Sequence, residues 1–117
     1  MLPPWDDSMS DGCTNAPWFS AIPEVLACCK RHDAKYYYGG TWQDRLKADR
    51  DFYDEIIATG KVDQVAAEAA FTLIRAFGGP NGRHPKYSWA FGGDVFAYTN
   101  VAGTAPEGGT CDRLVHP

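Results

Sequence analysis

The sequence predicts a single, mainly α-helical domain whose first two long helices form an antiparallel hairpin. Apolar residues recur with helical spacing in successive segments of the 117-residue chain, and glycines separate these segments. A chain of this length with 44% hydrophobic residues supports one core rather than two. We therefore expect one domain, 1–117, made of an N-terminal segment (1–20), a helical hairpin (21–60), and a third helix with C-terminal loops (61–117).

The N-terminal segment, residues 1–20, is predicted to be an irregular loop with aromatic anchors. Prolines and glycine alternate there with polar residues, a composition typical of loops. The segment lacks the basic flank and apolar stretch of a secretory signal, and no apolar run in the chain approaches the roughly 18 to 20 residues that span a bilayer. We therefore expect a soluble chain without a signal peptide in the sequence as printed.

The first helix of the hairpin is predicted from an apolar stripe that begins at Ile22. Pro23 is tolerated in a first helical turn, and we expect Ser20 to be the N-cap. Gly39 and Gly40 should end the helix, because glycine favours the positive backbone angles found there. The stripe comprises Ile22, Val25, Leu26, Cys29 and Tyr36.

The second helix is predicted to start after Thr41 and to end at Gly60. Thr41 supplies an N-cap oxygen, and Asp44 stands three positions later, where a capping box places an acidic or amide side chain. Because the connection between the two helices is short, they should run antiparallel. The apolar stripe of the second helix comprises Trp42, Leu46, Tyr53 and Ile56.

A third helix is predicted over about Asp63 to Phe77, where alanine is frequent and a glycine pair followed by Pro80 stops the pattern. One side of this helix carries Val65, Ala69, Thr72 and Leu73. Beyond Pro80 the chain is rich in glycine and aromatic residues without a sustained period. We expect an irregular aromatic C-terminal region of ordered loops there, with room for a short strand pair.

The four cysteines leave several interpretations open. Cys13, Cys28, Cys29 and Cys111 could form disulfides, remain buried thiols, or bind zinc together with His32. Zinc is the least favoured of these, because adjacent cysteines on a helix point about 100 degrees apart and the chain has no C-x-x-C motif.

An ionisable residue interrupts the apolar stripe of each hairpin helix: His32 in the first and Asp49 in the second. Both are almost equally far from the turn, roughly 11 to 12 Å at ~1.5 Å per residue, so antiparallel helices should bring them level. A buried imidazole or carboxylate is costly unless it is paired. The pair predicts a general base, His32, oriented by Asp49 and acting on water, although a pair that only stabilises the core would satisfy the same pattern.

Asp33 follows His32 and points about 100 degrees around the helix, towards the loop over 11–19. Calcium prefers six to eight oxygen ligands and accepts backbone carbonyls, which a turn over 12–16 can supply. The sequence therefore predicts a calcium site between Asp33 and this loop.

The same residues resemble those of a known family. Cys28 to Tyr36 reads C-C-x-x-H-D-x-x-Y, which resembles the catalytic helix of secreted phospholipases A2, and Ala48 to Phe52 resembles the A-D-x-x-F pattern of their short viral and microbial branch. Cys13 stands at the family's spacing before Cys29. The resemblance covers about 11–57, less than half of the chain.

The resemblance implies a phospholipase A2-like fold in which the helical hairpin carries the active site and an N-terminal loop binds calcium. It implies calcium-dependent hydrolysis of the sn-2 ester of glycerophospholipids, with His32 and Asp49 activating water and Tyr36 hydrogen-bonding to Asp49. The implied calcium ligands are Asp33 and the carbonyls of Gly12, Thr14 and Ala16. The implied disulfide joins Cys13 to Cys29, and Cys28 is then either free or joined to Cys111, because Glu55 occupies the position of its family partner.

The implied partner is a phospholipid membrane surface, met peripherally. Trp5, Trp18 and Phe19, near the predicted site, belong either to the core or to an apolar rim that contacts lipid. A net charge of −4 without clusters of Lys and Arg argues against nucleic acid. Disulfides predict an oxidising location, reached by secretion or by delivery in a virion or other particle.

Other classes of function fit parts of the sequence. The chain could be a catalytically silent, phospholipase-like binding or structural module, as in a virion or toxin. It could also be a thiol hydrolase in which Cys28 or Cys29 is the nucleophile, which requires an exposed thiolate near His32.

Overall fold

The computed structural model describes residues 4–13, 16–80 and 88–92. In chain order these contain a 3₁₀ turn (Asp7–Met9), α1 (Pro17–Ser20), α2 (Pro23–Tyr38), α3 (Trp42–Ala58) and α4 (Gln64–Phe77). The described residues include no strand, which confirms the mainly α-helical class. Most of the C-terminal region, where a strand pair was considered, lies outside them.

The turn between α2 and α3 is built as the sequence predicts. Gly39 and Gly40 both have positive φ, and a Cβ on Gly39 would collide with Ala90. The side chain of Thr41 accepts a hydrogen bond from the N–H of Asp44, and the Asp44 carboxylate accepts one from the N–H of Thr41. This capping box starts α3 immediately after the glycines, which is why the helices lie side by side.

The side-chain contacts between α2 and α3 run in opposite order along the two helices. Arg31, early in α2, lies 3.6 Å from Glu55, late in α3. Tyr36, late in α2, accepts a 3.0 Å hydrogen bond from Arg45, early in α3. The hairpin is therefore antiparallel, as predicted.

The start of α2 differs from the prediction. Ile22 is the N-cap of α2, and Ser20 is instead the last residue of α1, where its hydroxyl accepts a hydrogen bond from the N–H of Cys13. Pro17 occupies the first turn of α1 with a φ that is already helical. The expected irregular segment therefore contains regular turns, and the expected N-cap role of Ser20 is wrong.

The main core forms between α2, α3 and the inner side of α4. Val25 and Ile56 are fully buried at its centre, so the hairpin supplies most of the core volume. The buried members of this cluster are Cys13, Phe19, Val25, Ala27, Cys28, Cys29, Phe52, Ile56 and Ala67.

The packing side of α4 is opposite to the one that the sequence indicated. Val65 and Leu73 are 77% and 58% exposed, whereas Ala67 is buried and Ala66, Ala70 and Ile74 pack against the core. Small side chains allow α4 to approach α3 closely, so the alanine side faces inward and the larger residues remain outside. Trp42 is also exposed rather than in the α3 stripe, because it stands in the first turn of its helix. None of the described helices has the length and apolar character needed to cross a bilayer.

Candidate active site

The centre of the site is a buried pair formed by His32 of α2 and Asp49 of α3. Nε2 of His32 lies 2.8 Å from Oδ1 of Asp49. Asp49 has no exposed surface, and His32 is 9% exposed. Because the carboxylate can only accept, Nε2 carries the proton, and Nδ1 keeps the lone pair that can take a proton from another molecule.

Tyr36 extends this pair into a network. Its hydroxyl donates to Oδ1 of Asp49 at 2.7 Å and accepts from Nε of Arg45 at 3.0 Å. Burial raises the pKa of the Tyr36 hydroxyl well above its ordinary value, and the Asp49 charge raises it further. Tyr36 therefore stays a neutral donor to Asp49, in the place that the resemblance implied.

The second oxygen of Asp49 is bound by arginine. Nη1 of Arg75 lies 2.6 Å from Oδ2, and Nε of Arg45 lies 3.9 Å from it. Burial on its own would raise the pKa of the Asp49 carboxyl, but hydrogen bonds from His32, Tyr36 and Arg75 outweigh it and hold this pKa below its ordinary value. Asp49 is therefore a carboxylate at neutral pH.

Sequence reasoning missed both arginines. Arg45 stands four residues before Asp49 on the same face of α3, a spacing that should have indicated contact. No comparable signal was available for Arg75, since its contact depends on which side of α4 packs inward.

Aromatic rings hold the imidazole in place. The His32 ring centroid lies 4.5 Å from that of Tyr36 and 4.8 Å from that of Phe52, both tilted. The ring centroids of Trp89 and Tyr36 lie 4.9 Å apart with the rings nearly perpendicular, and the indole N–H of Trp89 donates to the carbonyl of Gly40 at 2.9 Å. The described segment 88–92 thus packs against the far side of Tyr36, away from water.

Asp33 contacts the start of the loop that was predicted to bind calcium. Its Oδ2 accepts a 2.6 Å hydrogen bond from the hydroxyl of Ser10. Burial raises the pKa of the Asp33 carboxyl to about 8; the Ser10 hydrogen bond opposes this shift and the neighbouring Asp11 charge adds to it. The oxygens of Asp33 and Ser10 are ligands of the kind that suits a hard cation such as calcium.

The three residues whose backbone carbonyls were predicted to bind calcium are Gly12, Thr14 and Ala16. The carbonyl of Ala16 accepts hydrogen bonds from the N–H groups of Phe19 and Ser20 in the first turn of α1, and its role as a calcium ligand stays a prediction. Gly12 adopts a positive φ beside Ser10, whose hydroxyl accepts its N–H at 2.9 Å. Thr14 lies outside the described residues, which contain no group of three or more His, Cys, Asp or Glu placed to hold a metal.

A disulfide joins Cys13 to Cys29, with 5.1 Å between the Cα atoms, and so fixes the loop to α2 near His32. Cys28 is also disulfide-bonded, and Cys111 lies outside the described residues. Neither cysteine of the adjacent pair is a free thiol, which contradicts the zinc and thiol-hydrolase interpretations.

The three aromatic residues considered for a lipid-contacting rim differ in their exposure to solvent. Trp18 is 65% exposed, whereas Phe19 is buried in the core. Trp5 is half-buried: its ring contacts Tyr37 at 5.5 Å, and its indole N–H donates to Asp7 at 2.9 Å. Phe19 is therefore a packing residue, because it faces inward from α1. Trp5 contacts the end of α2 in a tilted arrangement, and its place in a lipid-contacting rim stays a prediction.

Comparisons with protein-family models, with curated proteins and with solved structures found no match.

Proposed function

We propose that this protein is a calcium-dependent phospholipase A2-type hydrolase that cleaves the sn-2 ester of glycerophospholipids with an activated water. The observation that carries the proposal is the buried hydrogen bond between His32 Nε2 and Asp49 Oδ1. Every polar partner of Asp49 in this network donates to it, as a carboxylate that steadies a catalytic histidine requires.

In the proposed reaction, Nδ1 of His32 removes a proton from water, and the water oxygen bonds to the ester carbonyl carbon. The resulting imidazolium lies against the Asp49 carboxylate, which stabilises its charge. The tetrahedral species collapses with cleavage of the bond to the glycerol oxygen, and His32 returns its proton to that oxygen. The products are a fatty acid and a lysophospholipid, and the histidine is again neutral.

The proposed metal site consists of Asp33 with the neighbouring Asp11 and the carbonyl of Gly12. Asp33 and Asp11 would supply negative charge to a bound cation, which would favour the ionised form of the Asp33 carboxyl, whose pKa burial otherwise raises to about 8. Bound calcium would polarise the ester carbonyl and stabilise developing negative charge on its oxygen. The disulfide from Cys13 to Cys29 keeps this loop next to the catalytic helix.

The lipid substrate class is supported by the C-C-x-x-H-D-x-x-Y pattern and by the exposed Trp18 of α1. An exposed indole suits the interface between headgroups and acyl chains. A peripheral encounter with a phospholipid surface is therefore part of the proposal.

The test is hydrolysis of a phosphatidylcholine with different acyl chains at sn-1 and sn-2, in calcium and in chelator. Release of the sn-2 chain alone, and only with calcium, is expected. Release of neither chain in calcium would favour the silent binding module, and release in chelator would contradict the metal requirement.

Replacing Asp33 with asparagine should weaken calcium binding roughly tenfold or more, because an amide cannot replace the charge of a carboxylate. Calorimetric titration of calcium measures this directly, and hydrolysis should fall in parallel. Unchanged calcium affinity would show that Asp33 is not a ligand.

Two controls accompany this variant. Glu24→Gln removes the same charge from the first turn of α2 and should leave calcium affinity unchanged. In chelator, Asp33→Asn should not melt earlier than the parent at pH 8 or above, because burial already raises the pKa of the Asp33 carboxyl to about 8 and so disfavours its ionised form.

A further inference from the structure

Two arginines connect the end of α4 to the hydrogen-bond network around Asp49. Nη2 of Arg45 donates to the carbonyls of Ile74 and Arg75, at 2.8 and 3.0 Å, and so binds the last turn of α4 to α3. The side chain of Arg75 returns to Asp49, with Nη1 2.6 Å from Oδ2. Ala67, the buried residue of α4, lies earlier in the helix, and at the last turn these polar contacts act together with the packing of Ile74 against the core.

The two oxygens of Asp49 are divided between separate partners. Oδ1 accepts from Nε2 of His32 and from the hydroxyl of Tyr36, whereas Oδ2 accepts from Arg75. Rotation of an aspartate carboxylate about χ2 is soft, so a carboxylate held at one oxygen can turn. A short charge-assisted hydrogen bond at Oδ2 restricts that rotation and fixes where Oδ1 points.

Resting on the proposed hydrolysis, we propose that Arg75 is a positioning residue that acts through Asp49. It holds Oδ1 towards Nε2 of His32, which keeps the imidazole in the tautomer with Nδ1 unprotonated. Arg45, at 3.9 Å from Oδ2 and committed to Tyr36 and to the α4 carbonyls, cannot take over this contact.

The test compares Arg75→Gln, Arg75→Lys and the control Arg50→Gln. Arg50 is exposed on α3, so its replacement removes the same charge next to Asp49 in sequence without touching the network. For Arg75→Gln we expect kcat to fall about 10- to 100-fold with little change in KM. Arg75→Lys should restore part of kcat, because a lysine can still donate a charged hydrogen bond to Oδ2 of Asp49, and Arg50→Gln should match the parent.

A second readout does not depend on turnover. The proton between Nε2 of His32 and Asp49 should give a downfield NMR resonance, sharp in the parent and in Arg50→Gln but broadened by exchange in Arg75→Gln. If that resonance is unchanged in a folded Arg75→Gln protein, or if the variant only melts earlier while kcat per folded molecule is parental, the positioning role is wrong. A parent that hydrolyses no lipid, with the resonance still lost in Arg75→Gln, would refute the proposed function while supporting the positioning of Asp49.

Discussion

Replacing His32 with glutamine should reduce phospholipid hydrolysis by roughly 10² to 10⁴, the range that a general base contributes. Glutamine can still donate a hydrogen bond to Oδ1 of Asp49 and occupy the space between the rings of Tyr36 and Phe52. It has no lone pair that takes a proton at neutral pH, so water is not activated. Steady-state rates on a defined phosphatidylcholine, with circular dichroism on the same sample, measure both effects.

His32→Ala supplies the matched comparison. Alanine leaves a space of about one imidazole ring, so added imidazole should restore part of the rate, whereas the glutamine variant fills this space and should not respond. Residual activity within tenfold of the parent, in a folded His32→Gln protein, would remove His32 from the proposed mechanism.

The hairpin was predictable because its signals are local. A glycine pair at 39–40 and the capping box from Thr41 to Asp44 fix both the turn and the first residue of α3. Once the turn is fixed, the helical rise alone brings His32 level with Asp49. The register of His32 and Asp49 could therefore be derived without any tertiary information.

The contribution of α4 could not be derived in the same way. Its sequence has apolar residues on both sides, so periodicity does not distinguish the packed side from the exposed one. The alanine side of α4 packs against α3, because close approach of the two helices requires small residues. Val65 and Leu73 remain exposed as a result. Arg75 reaches Asp49 only as a result of that choice, so it carries no signal in the sequence alone.

The short helix α1 was missed for a related reason. Four residues give too little periodic signal to distinguish a helical turn from a loop. Burial of Phe19 in the core holds it in place, and that contact is tertiary.

Asp49→Asn is expected to have the other large effect, because an amide cannot satisfy the donors on both sides of this residue. An amide has one accepting oxygen and one donating nitrogen, whereas His32 and Tyr36 donate from one side and Arg75 from the other. With its nitrogen towards His32, asparagine donates a hydrogen bond to Nε2 and favours the tautomer in which Nδ1 carries the proton and cannot act as a base. With its nitrogen towards Arg75, it leaves the guanidinium without its anion.

We therefore expect a loss of turnover on the order of 10 to 10⁴ per folded molecule, together with a loss of about 1 to 3 kcal/mol in the free energy of unfolding. The pKa of Asp49 is held below its ordinary 3.8, so its contribution to stability is present above that pH and is lost as the pH falls through the lower folded value. The stability difference between parent and variant should accordingly be largest near neutral pH and should shrink in acid.

Asp54→Asn, which removes the same charge from the exposed side of α3, is the control and should change neither turnover nor the free energy of unfolding appreciably. Turnover and unfolding measured on one preparation separate the two roles of Asp49. An Asp49→Asn protein that melts early yet keeps parental turnover per folded molecule would show that the pair is structural and that Asp49 does not orient the base.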